Sequence, residues 1–363
     1  MRITRLQLAR VRCITALDLH LSPGFNFIIG PNGAGKTSIL EAVYVLSHGH
    51  SFRRRARESM IQRGASDFTV YAELGLVDGR SQRVGLARRS GGWEARIDQA
   101  PVARLADLFS AFAACAFAPG SHELLEGGPE GRRAFWDWGV FHVEPELLPT
   151  WRRYSRALAQ RNALLRQRAA DSLLLPFEAE MARAGTALAG WRQDYLSQLA
   201  PLAAAHAQAL IPELGELSLI GQRGWRGAGE DDLAKVLAGR RDADRERGNS
   251  GSGPHRADWS LRFAQAPPVS ELSRGQQKLA VLALVLAQAQ AFQRVRGAWP
   301  VLLLDDLASE LDAAHLQAAL RLIEASGAQA LISGTFLAPA LAERAATGSL
   351  FHVEHGLRVG PDA

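Results

Sequence analysis

The sequence predicts an α/β protein into which a helical segment is inserted. Two short apolar runs, 25–29 near the start of the chain and 301–304 near its end, are typical of strands buried on both faces of a parallel sheet. Between residues 145 and 210 the apolar residues instead recur at a spacing of three and four, which predicts helices. We therefore expect α/β structure at the two ends of the chain and helices between them.

Length and composition agree with this division. A chain of 363 residues is long enough for about two domains of ordinary size. We expect residues 1–120 and 251–363 to form the α/β domain, and residues 121–250 to form the inserted helical arm. No run of roughly 18 apolar residues is present and the first residues lack the apolar core of a signal peptide, so we expect a cytoplasmic protein that does not contact a membrane.

Basic residues outnumber acidic ones. The net charge of +5 and the pI near 9.7 fit a polyanionic partner, because Lys and Arg that neutralise phosphates release condensed counterions. Nearly all of the basic residues are Arg, which base composition of the genome can also produce. Lysine is therefore the more informative residue: it occurs only at Lys36, Lys235 and Lys278, and two of these lie in the motifs described next.

A phosphate-binding loop is predicted directly after the first apolar run. Residues 30–37 read GPNGAGKT, which matches the pattern GxxxxGK[ST], and residues 38–46 follow with apolar residues at helical spacing. The glycines let backbone N–H groups surround phosphates, Lys36 contacts the β- and γ-phosphates, and the Thr37 hydroxyl ligates Mg²⁺. The alternative is a Gly-rich turn without a ligand. The predicted ATP ligands are Gly30, Asn32, Gly33, Ala34, Gly35, Lys36, Thr37 and Ser38.

Two carboxylates end the second apolar run. We expect Asp305 to hold Mg²⁺ through water, and Asp306 to orient or deprotonate the attacking water, so that Asp306 and Lys36 are the predicted catalytic residues. Acidic residues at the end of a strand can also simply be solvated. The phosphate loop elsewhere in the chain favours the catalytic interpretation.

A third motif separates ABC-type ATPases from other phosphate-loop proteins. Residues 272–278 read LSRGQQK, which resembles the ABC signature, and Ser273 is a predicted N-cap for the apolar helix behind it. A helix N-terminus of this kind can bind an anion, so we predict that Ser273, Gly275 and Gln276 contact ATP. Without the other motifs, the segment would be an ordinary capped helix. After the acidic strand, residues 308–312 resemble the D-loop of the same class.

Together these motifs resemble the RecF family of recombination-repair ATPases, and further matches extend along almost the whole chain. The resemblance implies an ABC-type ATPase head, built of a phosphate-loop sheet and an antiparallel β portion, with an inserted α-helical arm. It implies that ATP and Mg²⁺ join two heads in a homodimer in which Ser273 and Gly275 act on the partner's nucleotide. The further matches are Leu6-Gln7-Leu8, Ser51-Phe52-Arg53, Phe117-Ala118-Pro119-Gly120, Gly128-Pro129, Arg132-Arg133, Phe135, Gln160-Arg161-Asn162 and Gly253-Pro254-His255-Arg256.

The resemblance also implies a function. It predicts an ATPase whose dimer clamps double-stranded DNA near junctions with single-stranded gaps and helps to load recombinase together with RecO and RecR. Some features depart from ABC ATPases in general. Asp306 stands where Glu is common, which suggests slow turnover. Residues 331–335 stand where many ABC proteins have a switch histidine and contain none, so Thr335 is proposed as a partial substitute. A glutamine loop is not evident, since residues 117–123 offer Ser121 and His122 but no Gln.

The helical segment predicts an antiparallel pair of helices with its bend near Pro176. The pair is either a bundle packed for stability or an arm that contacts DNA or the partner head. Residues 240–253 carry mixed charges followed by Gly and Ser, and we expect them to form an exposed loop.

Clusters of arginine are the candidate DNA contacts, although charge runs are more often only solvated. No helix-turn-helix, zinc-finger or RNP pattern is present, so we expect binding to the DNA backbone irrespective of sequence. His255 and Arg256 either lie near the catalytic face or close a turn. The candidate DNA-contact residues are Arg53, Arg54, Arg55, Arg57, Arg132, Arg133, Arg152, Arg153 and Arg156.

Two other functions remain compatible with the motifs. The chain could be the motor subunit of an ABC transporter, and DNA-stimulated hydrolysis would argue against that. It could also be a nucleotide-gated binding module without turnover, in which case the change of Asp306 to Asn would have no effect.

Overall fold

The computed structural model of the chain describes residues 1–53, 60–89, 91–226, 233–354 and 357–359. Contacts divide the chain into two compact units. Unit 1 comprises Met1–Ser121, Ala209–Ile211 and Ser273–Ala363, and unit 2 comprises His122–Gln208 and Pro212–Leu272. Both ends of the chain thus belong to unit 1, and residues 250 and 251, where we placed a domain boundary, both lie in unit 2.

Strands occur in both units, with β9 and β10 in unit 2 and the others in unit 1. In chain order they are β1 (Arg2–Val11), β2 (Ile14–His20), β3 (Phe25–Ile29), β4 (Phe68–Gly75), β5 (Ser81–Arg89), β6 (Gly92–Ile97), β7 (Ala100–Pro101), β8 (Ala114–Phe117), β9 (Leu217–Gln222), β10 (Asp258–Phe263), β11 (Val301–Leu304), β12 (Ala330–Gly334), β13 (Ser349–Glu354) and β14 (Leu357–Val359).

Helices α3 to α8 belong to unit 2, apart from the last two residues of α6, and the remaining helices belong to unit 1. They are α1 (Lys36–His48), α2 (Leu105–Ala111), α3 (Glu123–Glu126), α4 (Pro129–Val143), α5 (Leu147–Arg166), α6 (Asp171–Leu210), α7 (Leu233–Gly239), α8 (Arg241–Arg247), α9 (Arg274–Arg296), α10 (Leu307–Glu310), α11 (Ala313–Ser326) and α12 (Pro339–Ala345).

A largely parallel sheet of order β14-β13-β3-β12-β11-β8 forms the nucleotide side of unit 1. Strands β3, β11 and β12 are buried along their whole length, as the apolar runs predicted for the first two. Because β3, β12 and β11 are parallel neighbours, their carboxyl ends meet at one edge of the sheet. The residues that follow each strand are thereby brought together, although they lie far apart in sequence.

A second, antiparallel sheet of order β2-β1-β4-β5-β6-β7 completes unit 1. Alternate residues of β4 are buried, which is the pattern of a sheet with one face on the core. Helix α1 contributes Ile39, Val43 and Leu46 to the same hydrophobic core. The core therefore fixes the helix that follows the phosphate loop.

Unit 2 is mainly helical, with β9 and β10 paired antiparallel. Ion pairs Arg161–Glu178 and Arg153–Glu180 join α5 to α6, consistent with the predicted antiparallel pair. The predicted bend at Pro176 is wrong, because this proline lies inside α6. The chain turns earlier, where Arg168 adopts a left-handed φ of 52°. Proline removes one helical hydrogen bond, and the 40-residue helix offsets that loss by burying apolar residues along its length.

The prediction of an exposed loop at residues 240–253 is also wrong. Helix α8 occupies half of this segment, and Asp244 and Ser250 are buried. Both accept hydrogen bonds from the fully buried guanidinium of Arg161, at 2.8 Å and 2.7 Å respectively. A buried arginine requires such partners, so the pairing with Arg161 on α5 keeps part of segment 240–253 buried in unit 2.

Replacing Asp244 with Ala is expected to destabilise unit 2 by about 3–5 kcal/mol, because it leaves the buried Arg161 short of a counter-charge. Chemical denaturation followed by circular dichroism measures the change. Asp242→Ala is the matched control on the same helix, since the Asp242 side chain is 97% exposed and should contribute less than about 1 kcal/mol. Equal losses of stability in the two variants would contradict this account of the network.

Candidate nucleotide-binding site

The predicted phosphate loop connects β3 to α1, as its sequence required. Gly33 and Gly35 have φ of 81° and 107°, a left-handed conformation that residues with a Cβ adopt only at a cost. Gly30 is required for a different reason: a Cβ there would lie 2.1 Å from the carbonyl oxygen of Val353 in β13. Asn32 and Gly33 are exposed at the tip, while Ala34 and Ser38 are buried.

Lys36 points back into its own loop. Its side-chain Nζ donates hydrogen bonds to the carbonyl oxygens of Gly30 at 2.8 Å and Pro31 at 3.0 Å. The residue is only 5% exposed. A compact cation thus lies inside a loop of backbone groups at a helix N-terminus, which is an arrangement that attracts phosphate.

Thr37 and Asp305 meet at the edge where β3 and β11 end. The Thr37 hydroxyl donates to Asp305 Oδ1 at 3.0 Å, and Ser333 donates to the same oxygen at 2.6 Å. Burial raises the pKa of Asp305, while the hydrogen bonds from Ser333 and Thr37 lower it. Parallel strand order has therefore joined two predicted Mg²⁺ ligands from opposite ends of the chain.

These residues fit Mg²⁺ as the sequence predicted. A carboxylate and a hydroxyl are oxygen donors of the kind that this ion prefers, and it commonly uses one or two carboxylates together with substrate phosphates and water. Within the described ranges, no group of three or more His, Cys, Asp or Glu could hold a metal by itself. Thr37 and Asp305 would therefore share the ion with the phosphates of a nucleotide.

Asp306 has an unusual backbone conformation. Its φ of 51° and ψ of 34° are left-handed, and such strain is concentrated at functional sites. Its side-chain Oδ1 is buried and lacks a hydrogen-bond partner within the described part of the chain. The backbone N–H is held by Ser333 Oγ at 2.9 Å. A carboxylate oxygen placed in this way is available to accept a proton from water.

Ser333 contacts both acidic residues of the candidate site, and the motif analysis missed it. It was assigned no role, whereas Thr335, two residues later, was proposed as a partial substitute for a switch histidine. In the structure Thr335 is exposed, while Ser333 is buried and connects Asp305 to the backbone of Asp306. A serine at the end of a buried apolar strand was the available signal.

The signature segment begins α9 as predicted. Ser273 is the N-cap: its hydroxyl accepts from the Gln276 N–H at 3.2 Å, and the Gln276 side chain accepts from the Ser273 N–H at 3.1 Å. This reciprocal pair is a capping box. Ser273 and Gly275 are exposed, and among the described residues a Cβ at Gly275 would meet Ser273 Oγ alone within 4 Å. The carbonyl end of the Gln276 side chain is occupied by the cap.

An ion pair connects the signature helix to the D-loop. Lys278 Nζ lies 2.9 Å from Glu310 Oε2, and the two side chains are 23% and 15% exposed. Lys278 belongs to α9 and Glu310 to α10, which follows Asp305 and Asp306 in the chain. A displacement of either motif would therefore strain or break the ion pair and so affect the position of the other motif.

Glu41 holds the segment that follows α1. This fully buried carboxylate accepts two hydrogen bonds from Arg12, at 2.7 Å and 3.1 Å, and one from the Ser51 hydroxyl. Ser51 Oγ in turn accepts from the backbone N–H of Arg53 at 2.9 Å. Through Ser51 and Glu41, the backbone of Arg53 is therefore held against α1, the helix that follows the phosphate loop.

Comparison with known proteins identifies the family. The family model of the RecF/RecN/SMC N terminal domain matches residues 2–357. The DNA replication and repair protein RecF of Xanthomonas axonopodis pv. citri is 45% identical over 360 residues, which is 98% of each chain. This chain belongs to the RecF family. The RecF of Vibrio vulnificus is 38% identical over 358 residues, 98% of this chain and 99% of that protein.

Solved structures agree with this RecF-family assignment at the level of the fold. The recombination mediator protein RecF with ATP, from the RecFOR pathway, has a TM-score of 0.87 at 23% identity over 98% of this chain and 96% of its own. The Smc head bound to the C-winged helix domain of ScpA has a TM-score of 0.57 at 15% identity over 99% and 96%. The predicted ATPase-head fold is thereby confirmed.

The arginines predicted to contact DNA in this RecF-family chain differ in their surroundings. Arg54, Arg55 and Arg57 lie outside the described residues. Four hydrogen bonds hold the Arg132 guanidinium inside unit 2, to both oxygens of Asp258 and to two carbonyls. These contacts leave Arg132 less available for phosphate than an exposed arginine, and its role as a DNA contact stays a prediction.

Other candidate arginines are partly engaged. Arg133 donates to the carbonyl of Ala257 at 2.9 Å, and Arg153 donates to Thr150 Oγ1 at 3.1 Å. Arg152 and Arg156 are exposed on α5, and no ion pair of theirs is found within the described ranges. These two are the more available cations of the arm.

The GPHR segment forms a turn of unit 2. Tyr154 Oη lies 2.7 Å from His255 Nδ1, and His255 Nε2 lies 3.0 Å from the carbonyl oxygen of Ser250. Burial lowers the pKa of His255, so the neutral ring is favoured. These contacts support the turn-closing interpretation of His255, while Arg256 is exposed.

The described helices include none with the length and apolar character needed to cross a membrane.

Proposed function

We propose that this RecF-family chain binds ATP with Mg²⁺ at the phosphate loop, hydrolyses it slowly, and uses ATP to pair two heads that hold duplex DNA near single-strand gaps. The observation that carries the proposal is the hydrogen bond between Thr37 and Asp305, which are 268 positions apart. Curated relatives named as DNA replication and repair proteins, and a similar fold solved with ATP, support it.

Each residue has a distinct role in the proposed site. Lys36 and the loop N–H groups bind the β- and γ-phosphates, and Thr37 and Asp305 hold Mg²⁺, which neutralises charge on the phosphates. Asp306 accepts a proton from the attacking water. Ser333 keeps both carboxylates in position. Arg53, whose side chain is exposed, stays a candidate DNA contact.

The proposed dimer depends on the exposed start of α9. Ser273 and Gly275 would meet the γ-phosphate that the partner head binds, so ATP would contact both heads at once. A ligand with this differential affinity favours the paired state, and loss of the γ-phosphate releases it. DNA would be held through its backbone, with Arg152 and Arg156 as candidate contacts. By family resemblance, RecO and RecR are the proposed partners in the cytoplasm.

Light scattering in solution tests this proposal. The mass of the protein is measured alone, with ATP and Mg²⁺, and with ATP and EDTA. We expect a doubling of mass only with ATP and Mg²⁺, followed by a return to the monomer as ATP is consumed. An unchanged mass would contradict ATP-dependent pairing, and the proposal would then be reduced to a head that binds ATP.

Replacing Ser273 with Arg is expected to abolish ATP-dependent pairing while leaving ATP binding intact. The long side chain would fill the space in which the partner's phosphate contacts the signature segment. Light scattering and fluorescent-ATP titration measure the two effects. Ser197→Arg is the control, because it makes the same change at an exposed serine of α6. Normal pairing of Ser273→Arg would rule out contact between the signature segment and the partner's nucleotide.

Reversing the charge of either Lys278 or Glu310 is expected to weaken ATP-dependent pairing, and exchanging the two charges in a double variant is expected to restore it. Lys278→Glu and Glu310→Lys each place like charges 2.9 Å apart in the parent geometry, which should weaken ATP-dependent pairing severalfold. The double variant should recover most of the loss. A double variant as weak as the sum of both single changes would show that the two residues act independently.

A further inference from the structure

Unit 2 contains a concave pocket of about 740 Å³ that none of the motifs explains. Its walls come from three separate segments: the end of β9 and the residues after it, the end of α7, and the turn at 251–256. Four arginines line it, namely Arg223, Arg226, Arg240 and Arg256. The pocket has the volume of a small-ligand site.

The pocket is strongly basic. No Asp or Glu is among the described residues that line it. Arg226, Arg240 and Arg256 form no ion pair with another described residue, and Arg256 Nη2 donates a long hydrogen bond of 3.4 Å to Asn249 Oδ1. Cations that converge on one concave surface raise the local positive potential and attract an anion.

An aromatic side chain lies among these arginines. Trp225 lines the pocket, and the guanidinium of Arg223 lies 5.7 Å from the centre of its ring. The indole Nε1 is buried and has no hydrogen-bond partner in the described part of the chain. The pocket therefore combines arginine guanidinium groups, which can bind phosphate, with the flat indole ring of Trp225 and its N–H donor, which is unpaired among the described residues.

One wall of the pocket is held rigidly. Gly253 N–H donates to the carbonyl oxygen of Gly224 at 3.1 Å, and a Cβ at Gly224 would lie 2.2 Å from the carbonyl oxygen of Gly253. Asn162 accepts from both the N–H and the hydroxyl of Ser250 at 2.8 Å. A wall that is already ordered loses little entropy when a ligand binds.

We propose that this pocket binds an unpaired nucleotide of a single-stranded nucleic acid, with the base beside Trp225 and the flanking phosphates on the arginines. Stacking on an aromatic ring within a basic groove is how single strands are bound irrespective of sequence. Duplex DNA fits less well, because its bases are stacked inside and its surface cannot enter a concave pocket. The aromatic surface favours a base over an acidic peptide, which needs only the charges.

Fluorescence anisotropy of a labelled ten-nucleotide oligothymidylate, measured with the full chain and without ATP, tests this site independently of the proposed clamp. Trp225→Ala should weaken binding roughly tenfold, and Trp225→Phe should retain most of it. Arg226→Gln combined with Arg240→Gln should lower the slope of log affinity against log salt concentration by about 1.4, because each phosphate that is no longer neutralised accounts for about 0.7. Arg183→Gln combined with Arg262→Gln, two exposed arginines of unit 2, is the matched control.

Selective loss of single-strand binding in the pocket variants, with ATP-dependent dimer mass unchanged, would support the site. The site would be ruled out if the pocket variants bound the oligothymidylate with unchanged affinity. It would also be ruled out if the control variant lost as much affinity, or if the pocket variants lost as much affinity for a blunt duplex of ten base pairs. Displacement of the oligothymidylate by oligoglutamate, with no effect of Trp225→Ala, would assign the pocket to an acidic peptide and also overturn it.

Discussion

Replacing Asp306 with Asn is expected to slow ATP hydrolysis by about a hundredfold or more while ATP binding and pairing persist. The amide keeps the size of the side chain in its strained left-handed position, but it cannot accept a proton from water. The buried Oδ1 without a partner in the described part of the chain is the atom that should matter most. Phosphate release measures hydrolysis, and light scattering measures how long the paired state lasts.

Asp242→Asn provides the control for this change, because Asp242 is an exposed carboxylate of unit 2. It should leave both measurements unchanged. If Asp306→Asn hydrolysed ATP at the parent rate, the proton acceptor would lie elsewhere and the chain would fit a nucleotide-gated binding module instead.

Replacing Lys36 with Met is expected to weaken ATP binding by about a hundredfold or more, since a hydrogen bond to a charged group contributes about 1.5–3 kcal/mol and Lys36 would make two of them. Pairing and hydrolysis should be lost with it. Titration with fluorescent ATP measures the affinity. The variant should remain folded, because Met has a similar length and removes a buried charge.

Two variants sharpen this test. Lys235→Met makes the same change at an exposed lysine of α7 and should bind ATP normally. Lys36→Arg keeps the charge but introduces a broad planar group into a loop where the residue is 5% exposed, so we expect it to fail as well. Normal ATP binding by Lys36→Met would place the phosphates away from this loop.

Local patterns predicted much of the nucleotide site. The phosphate loop, the two buried strands and the cap at Ser273 are each recognisable within about ten residues, because glycine conformation, strand burial and helix capping depend on near neighbours. The family resemblance is carried by the same short motifs. The roles of the site residues stay predictions until the variants are measured.

The errors arose where burial depends on distant partners. The charges in residues 240–253 suggested an exposed loop, but Arg161 on α5 binds Asp244 inside unit 2. Sequence likewise did not show that Asp258, 126 positions away, pairs with Arg132, one of the candidate DNA contacts. Charge alone does not reveal whether an arginine faces solvent or a buried carboxylate.

By itself, the sequence determined that this protein has a phosphate loop between a strand and a helix, a signature helix, and a pair of acidic residues after a buried strand. Only the tertiary structure decided which distant groups meet. Parallel pairing of β3, β12 and β11 brings Thr37, Asp305 and Ser333 into contact. Packing in unit 2 likewise gathers arginines from separate segments around Trp225, because side-chain convergence depends on how elements pack and not on local pattern.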